Sequence, residues 1–443
     1  MKLIPSQLDN TTCDVAIRAG FLHFVEDPDQ DGQSYQYIED GIMILKQGRI
    51  QALGEAGDWF DFLPDGAMFY DYSGHLVMPG FIDSHAHYPQ SEMLASYGAQ
   101  LLDWLENYTY PTEMRFSDRA HADDIADFYC REMLRNGTTT SAVFATVHPQ
   151  SVNAIFGAAA KYDLCLIAGK VMMDRNAPAA LLDTAESGYQ QSAELIERWH
   201  HNGRAHYAVT PRFAPCSSEA QLQACGRLLA EYPDLYLQSH VAENRDEVAW
   251  VSELFPRHRS YLDVYDSYGL LTERSVYAHC IHLDEEDRKR MAKTGATIAF
   301  CPTSNLFLGS GLFSLESARE HGIPVAIATD VGAGTSFNIL QTLNEAYKVC
   351  QMAGHSLTAA RAFYLATLGA ARALSLDDRL GNFAIDKDAD FVVLDFNATE
   401  LMQRRMDHAG TIEERLFALM MLGDDRCVRA THVMGKRQYL RGQ

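Results

Sequence analysis

Between residues 81 and 330, eight short apolar runs alternate with stretches of helical length, and this alternation constrains the fold more than any other feature of the chain. The runs cover 81–85, 138–147, 166–173, 206–211, 235–240, 276–280, 297–301 and 325–330, while stretches such as 185–200 and 220–231 carry amphipathic spacing. Strand–helix alternation calls for crossover connections and a parallel sheet. Eight such units over about 300 residues match the requirement of an α/β fold of the (β/α)8 TIM-barrel type.

The two ends of the chain read differently. Val15-Ala-Ile-Arg-Ala-Gly-Phe21, Gly41-Ile-Met-Ile-Leu-Lys46 and Arg49-Ile-Gln-Ala-Leu53 are β-like runs punctuated by Gly and Asp, as in antiparallel hairpins. Ala389-Asp-Phe-Val-Val-Leu-Asp395 and the run at 428–440 look alike. Residues 1–75 and 381–443 are therefore expected to form one small β-sandwich-like domain, with the barrel, 76–380, inserted between them.

Composition narrows the function. A net charge of −22 disfavours nucleic acid, whose binding rests on Lys and Arg neutralising phosphates; a small neutral substrate fits better. No apolar run reaches the roughly 18 to 20 residues that span a membrane. Residues 1–6 lack the apolar segment of a signal peptide, so a cytoplasmic location is expected. The nine cysteines include no CxxC pair, which points to reduced, buried thiols rather than disulfides or a thiolate zinc site.

Barrels gather their chemistry at the C-terminal ends of their strands. The first run ends in His85-Ala-His87, two imidazoles on one face of a strand because side chains alternate. The fifth ends in His240 and continues Val-Ala-Glu243; the sixth ends in His279; the eighth ends in Asp330. Each residue alone has an ordinary reading. A strand-closing histidine is usually hydrogen-bonded core, an Asp there is often a helix N-cap, and Glu243 suits solvent. Four strand ends carrying metal-type residues together point to one shared site.

Set in Pro79-Gly-Phe-Ile-Asp-Ser-His-Ala-His87, this pattern resembles the amidohydrolase superfamily of metal-dependent hydrolases and deaminases, over essentially the whole chain. The resemblance implies that His85, His87, His240 and Asp330 hold a metal. Binuclear members add a carboxylated Lys or a Glu near the end of a central strand. The fourth run, Tyr207-Ala-Val-Thr-Pro211, has neither, and Lys170 is placed at the start of the third, the wrong end of the barrel. One ion is expected. Members of the mononuclear deaminase branch carry a Glu three residues after the strand-five His, which Glu243 matches. Imidazole and carboxylate suit Zn²⁺, with Fe²⁺ the alternative. The residue types and the resemblance together assign Asp330 to accept a proton from the attacking water, Glu243 to carry protons to a ring nitrogen and the departing amine, and His279 to stabilise charge on the attacking oxygen. The other zinc-deaminase design, built on HxE and PCxxC, is absent.

Tyr88-Pro-Gln90-Ser, Leu101-Leu-Asp-Trp104, Tyr110-Pro-Thr-Glu113, Thr210-Pro-Arg212-Phe213, Cys301-Pro-Thr-Ser-Asn-Leu306 and Thr329-Asp-Val-Gly-Ala-Gly334 resemble the members of the superfamily that deaminate guanine. This implies hydrolysis of guanine to xanthine and ammonia, and a homodimer. The chemistry agrees: Arg212 offers forked donors for the 6-oxo group, the Gln90 amide both donates and accepts, and Phe213 and Trp104 offer faces for stacking. Other readings stay open for each: Arg212 paired with a surface carboxylate, Gln90 as a helix cap, Trp104 as core. Two rival functions also remain, deamination of another purine, pterin or triazine, and a non-enzymatic interaction protein on the same scaffold.

Overall fold

The computed structural model describes residues 4–9, 11–29, 33–98 and 100–442; the first three of the N-terminal residues considered above lie outside them. Eight parallel strands form a nearly closed barrel in sequential order. Strand one is Phe81–His87, two Thr138–Phe144, three Cys165–Gly169 and four Ala205–Pro211. Strand five is Tyr236–Val241, six Ser275–His279, seven Thr297–Phe300 and eight Val325–Ile327.

The runs read as continuously apolar because both faces of a parallel barrel are covered. Ile82, Ala142, Ile167, Ala208, Ala278, Ala299 and Ala326 fill the interior. Their neighbours Val143, Leu166, Tyr207, Leu237 and Tyr277 pack outward in the core that includes the surrounding helices. The mainly small interior residues suit the narrow lumen of an eight-stranded barrel, which side chains just fill. Helix starts are set locally: Asp118, Thr184, Ser218, Asn244 and Asp284 each accept a backbone N–H in the first turn of the helix that follows, satisfying donors that have no partner within the helix.

The seam between strands eight and one closes beside the strand ends. Asp330 donates its N–H to the His85 carbonyl at 2.9 Å, and His87 donates to Val331 at 3.0 Å. Strand eight is shorter than the run expected over 325–330, because the chain leaves the ladder and turns with Asp330 at φ 51°.

Seven strands make the second sheet, in the order Lys436–Leu440, Val428–Val433, Phe391–Leu394, Met68–Pro79, Val15–Phe24, Tyr35–Lys46, Arg49–Glu55. Strands from the two ends of the chain meet where Phe391–Leu394 pairs antiparallel with Met68–Pro79. Two details differ from the expected division. Met68–Pro79 stays in this sheet past residue 75, leaving Gly80 alone before barrel strand one. Residues 381–443 are also not all β: helices Glu400–Met406 and Ile412–Leu422 interrupt them. The second packs on helix Ile339–Met352 through Phe417 against Tyr347, ring centroids 5.2 Å apart, and Asn344 donating to the Met421 carbonyl at 2.8 Å; the first packs against the second. Burial of Leu416, Leu419 and Met420 holds this hairpin of helices in place. All nine cysteines are free and buried. No helix among the described residues is long and apolar enough to cross a membrane.

Candidate active site

Strand ends one, five, six and eight bring their polar residues to one point. His85 and His87 lie side by side with ring centroids 4.9 Å apart, and His240 sits 4.7 Å from the first and 5.1 Å from the second. Asp330 Oδ1 lies 3.3 Å from His85 Nε2 and 3.5 Å from His87 Nε2. Phe144, ending strand two, packs its ring against all three imidazoles.

The tautomers follow from the partners. His240 Nδ1 donates to the Arg212 carbonyl at 2.7 Å, so its Nε2 carries a lone pair. That lone pair lies 3.1 Å from His87 Nε2, within N–H···N hydrogen-bond distance. His85 Nε2 is buried without a hydrogen bond. Burial, with neighbouring positive groups adding to it, holds His85, His87 and His240 well below the usual histidine range. Three neutral imidazoles gathered beside a carboxylate are a donor set that suits a divalent cation.

A second ring of groups surrounds this one. His279 Nδ1 donates to Asn305 Oδ1 at 2.8 Å, and its Nε2 lies 3.4 Å from Glu243 Oε2 and 3.8 Å from Asp330 Oδ2. Ser310 donates to Glu243 Oε1 at 3.0 Å. Burial, reinforced by the charge of Asp330, pushes the Glu243 carboxyl up to about 8. Burial likewise raises Asp330 to about 6, against the pull of His279. Asp83 accepts the Thr329 N–H at 2.9 Å and its hydroxyl, tying the turn into Asp330 to strand one. His279 and Asp330 have φ of 70° and 51°, a conformation that non-glycine residues hold mainly where the surroundings enforce it.

Gln90, Trp104, Arg212 and Phe213 line the same pocket as His87, His240, Glu243, His279 and Asp330. Two details differ from the sequence reading. Arg212 does pair with a carboxylate, but with Glu113, wholly buried, at 2.7 and 2.9 Å. Gln90 Nε2 donates to the same Glu113 at 3.0 Å. One of its two amide N–H groups is engaged there, which fixes the way the amide turns. Trp104 is both core and pocket: it is buried, and its Nε1 has no hydrogen-bond partner.

Lys170 also stands elsewhere than the sequence suggests. It follows the C-terminal end of strand three, not its start, and pairs with Asp183 ahead of helix Ala185–Trp199 rather than facing the histidines. Glu113, Asn305, Ser310 and Asp83 were not singled out from the sequence. Glu113 and Asn305 stand inside the resembling segments; nothing in the pattern showed which neighbours they would meet.

The sequence pattern of the amidohydrolase family matches residues 76–437, and the chain belongs to that family. Within it, the chain is 52% identical to the guanine deaminase of Escherichia coli (strain K12) over 429 residues, 96% of this chain and 98% of that one. The solved structure of E. coli guanine deaminase superposes with a TM-score of 0.95, covering 97% of this chain and all of that one. Guanine deaminase from C. acetobutylicum, solved with guanine bound in its active site, is 28% identical with a TM-score of 0.86, covering 96% of this chain and all of the other.

Proposed function

We infer that this protein hydrolyses guanine to xanthine and ammonia, and we propose that it does so with one Zn²⁺ held by His85, His87, His240 and Asp330. The observation that carries the reading is the shared pocket: one cavity is lined by the candidate ligands, by Glu243 and His279, and by Gln90, Arg212 and Phe213. A divalent ion there supplies Lewis acidity that makes water nucleophilic near neutral pH.

The side chains account for the rest. Arg212 and Gln90 hold the oxo edge of the base, and Phe213 and Trp104 bound its faces. Asp330 accepts a proton from the water that attacks C2. Glu243, whose carboxyl is raised by burial and so holds a proton more readily than an exposed one, donates to N3. It recovers a proton from the attacking oxygen and passes it to the amine, the C2–N bond breaks, ammonia leaves, and the proton held by Asp330 returns to Glu243 to restore both groups. His279, oriented by Asn305, stabilises charge on that oxygen.

The test is formation of xanthine from guanine by the purified protein, before and after chelation and with Zn²⁺ restored, beside 8-oxoguanine, adenosine and cytosine. Turnover of another base and none of guanine would sink the assignment. Activity insensitive to complete metal removal would sink the metal reading. The resemblance also supports a cytoplasmic homodimer, for which light scattering on the purified protein is the check.

A further inference from the structure

Arg212 and Gln90 share one partner, and that sharing has a chemical consequence. Glu113 is wholly buried and accepts from Gln90 Nε2 and from Arg212 Nη1. It sits on the short helix Tyr110–Met114, three residues after Tyr110, whose ring lies 5.7 Å from the Arg212 guanidinium carbon. Residues three apart share a helix face, so one turn delivers both the ring and the carboxylate to Arg212.

We propose that Glu113 is a positioning residue that sets base specificity, by fixing the Gln90 amide with its nitrogen turned to Glu113 and its carbonyl left free to accept from the substrate. The proposal rests on the guanine reading above and adds to it the reason one edge is preferred. A carboxylate accepts and does not donate, so the amide nitrogen must turn to Glu113. Gln90 Oε1 is then left without a protein donor among the described residues, lying against Gly332, where any Cβ would come within 1.9 Å of it. Arg212, with Nη1 committed to Glu113, keeps its other N–H groups for the ligand. The pocket therefore offers an acceptor beside a donor. Its complement is an N–H beside a carbonyl oxygen, the N1–H and O6 of a 6-oxopurine. A 6-aminopurine has the reverse order, an acceptor N1 beside a donor amine.

Guanine and 2,6-diaminopurine separate the idea cleanly, because they share the scissile C2 amine and differ only at this edge. In Glu113→Gln the partner of Gln90 can donate as well as accept, so the amide is free to turn over. The kcat/KM for guanine is expected to fall roughly tenfold to a hundredfold, as for an unsatisfied buried hydrogen bond, mainly through KM. The guanine/diaminopurine ratio is expected to fall about tenfold or more. Glu113→Asp, which keeps the carboxylate, should return the ratio towards the wild-type value. Metal content and melting temperature identify folded samples. An unchanged ratio, or equal loss on both substrates, overturns the proposal. If Glu113→Gln does not fold, the wild-type protein with 1-methylguanine reads the same acceptor: a marked loss is expected, and turnover equal to guanine's overturns it. Failure of the wild type on guanine itself would instead overturn the function.

Discussion

Replacing Gly332 by alanine gives a direct measure of how tightly the substrate edge is built. Gly332 follows Asp330 in the turn that closes the barrel and has a φ of +124°, outside the range that other residues normally adopt. Placing a side chain there costs about 1–3 kcal/mol in backbone strain. The new Cβ would also stand 1.9 Å from Gln90 Oε1 and 2.9 Å from its Cβ and Cδ. Normal contact begins near 3.5 Å, so the amide has to retreat by about 1.5 Å. That movement breaks the 3.0 Å bond to Glu113, a bond to a charged group worth about 1.5–3 kcal/mol. Misplacing a positioning group by this distance costs on the order of 10²-fold in rate. We therefore expect Gly332→Ala to lower the melting temperature and to lose about 10²-fold in kcat/KM for guanine, with metal content unchanged. Continuous xanthine detection, thermal unfolding and elemental analysis read the three quantities. A variant within about threefold of wild-type kcat/KM at an unaltered melting temperature would show that Gln90 is not held as described.

Glu243→Gln should retain its metal and lose turnover by about 10²–10⁴-fold, the usual worth of a general acid–base step; near-normal activity would remove Glu243 from its role. Lys170→Met strands the buried Asp183 carboxylate, so a destabilisation of about 3–5 kcal/mol is expected, with one metal ion and normal kcat/KM in the folded fraction. Loss of metal from that variant would mean that Lys170 is a ligand after all. Burial holds His432 down to about 3 from an ordinary value near 6.5. It is neutral when folded and takes up a proton on unfolding, so its contribution is complete above about 6.5 and is lost as pH falls towards 3. Melting temperature against pH should therefore fall less steeply on the acid side in His432→Phe than in the wild type, and an equal or steeper slope would contradict the assignment.

Much of this was legible in one dimension. The eight runs were readable because a strand buried on both faces needs an unbroken apolar stretch. His85, His87, His240, His279 and Asp330 could be found because a barrel turns a position at a strand end into a position around an axis. The helices at 400–422 escaped, since the apolar face of Ile412–Leu422 gains meaning only against helix Ile339–Met352, and that of Glu400–Met406 only against Ile412–Leu422. Lys170 was misplaced because strand three ends at Gly169, earlier than its apolar run suggested.

The chain by itself determined the residue types and their order along the strands, and with them the barrel and the convergence of metal-type side chains. That information is local, carried by period and by strand ends. Only the tertiary structure decided who meets whom across long separations. Gln90, Glu113 and Arg212 come from three segments that no spacing relates. Their shared carboxylate holds an amide that could turn either way in one orientation, nitrogen towards Glu113. Packing removes that freedom, because a buried donor must find its acceptor inside the protein.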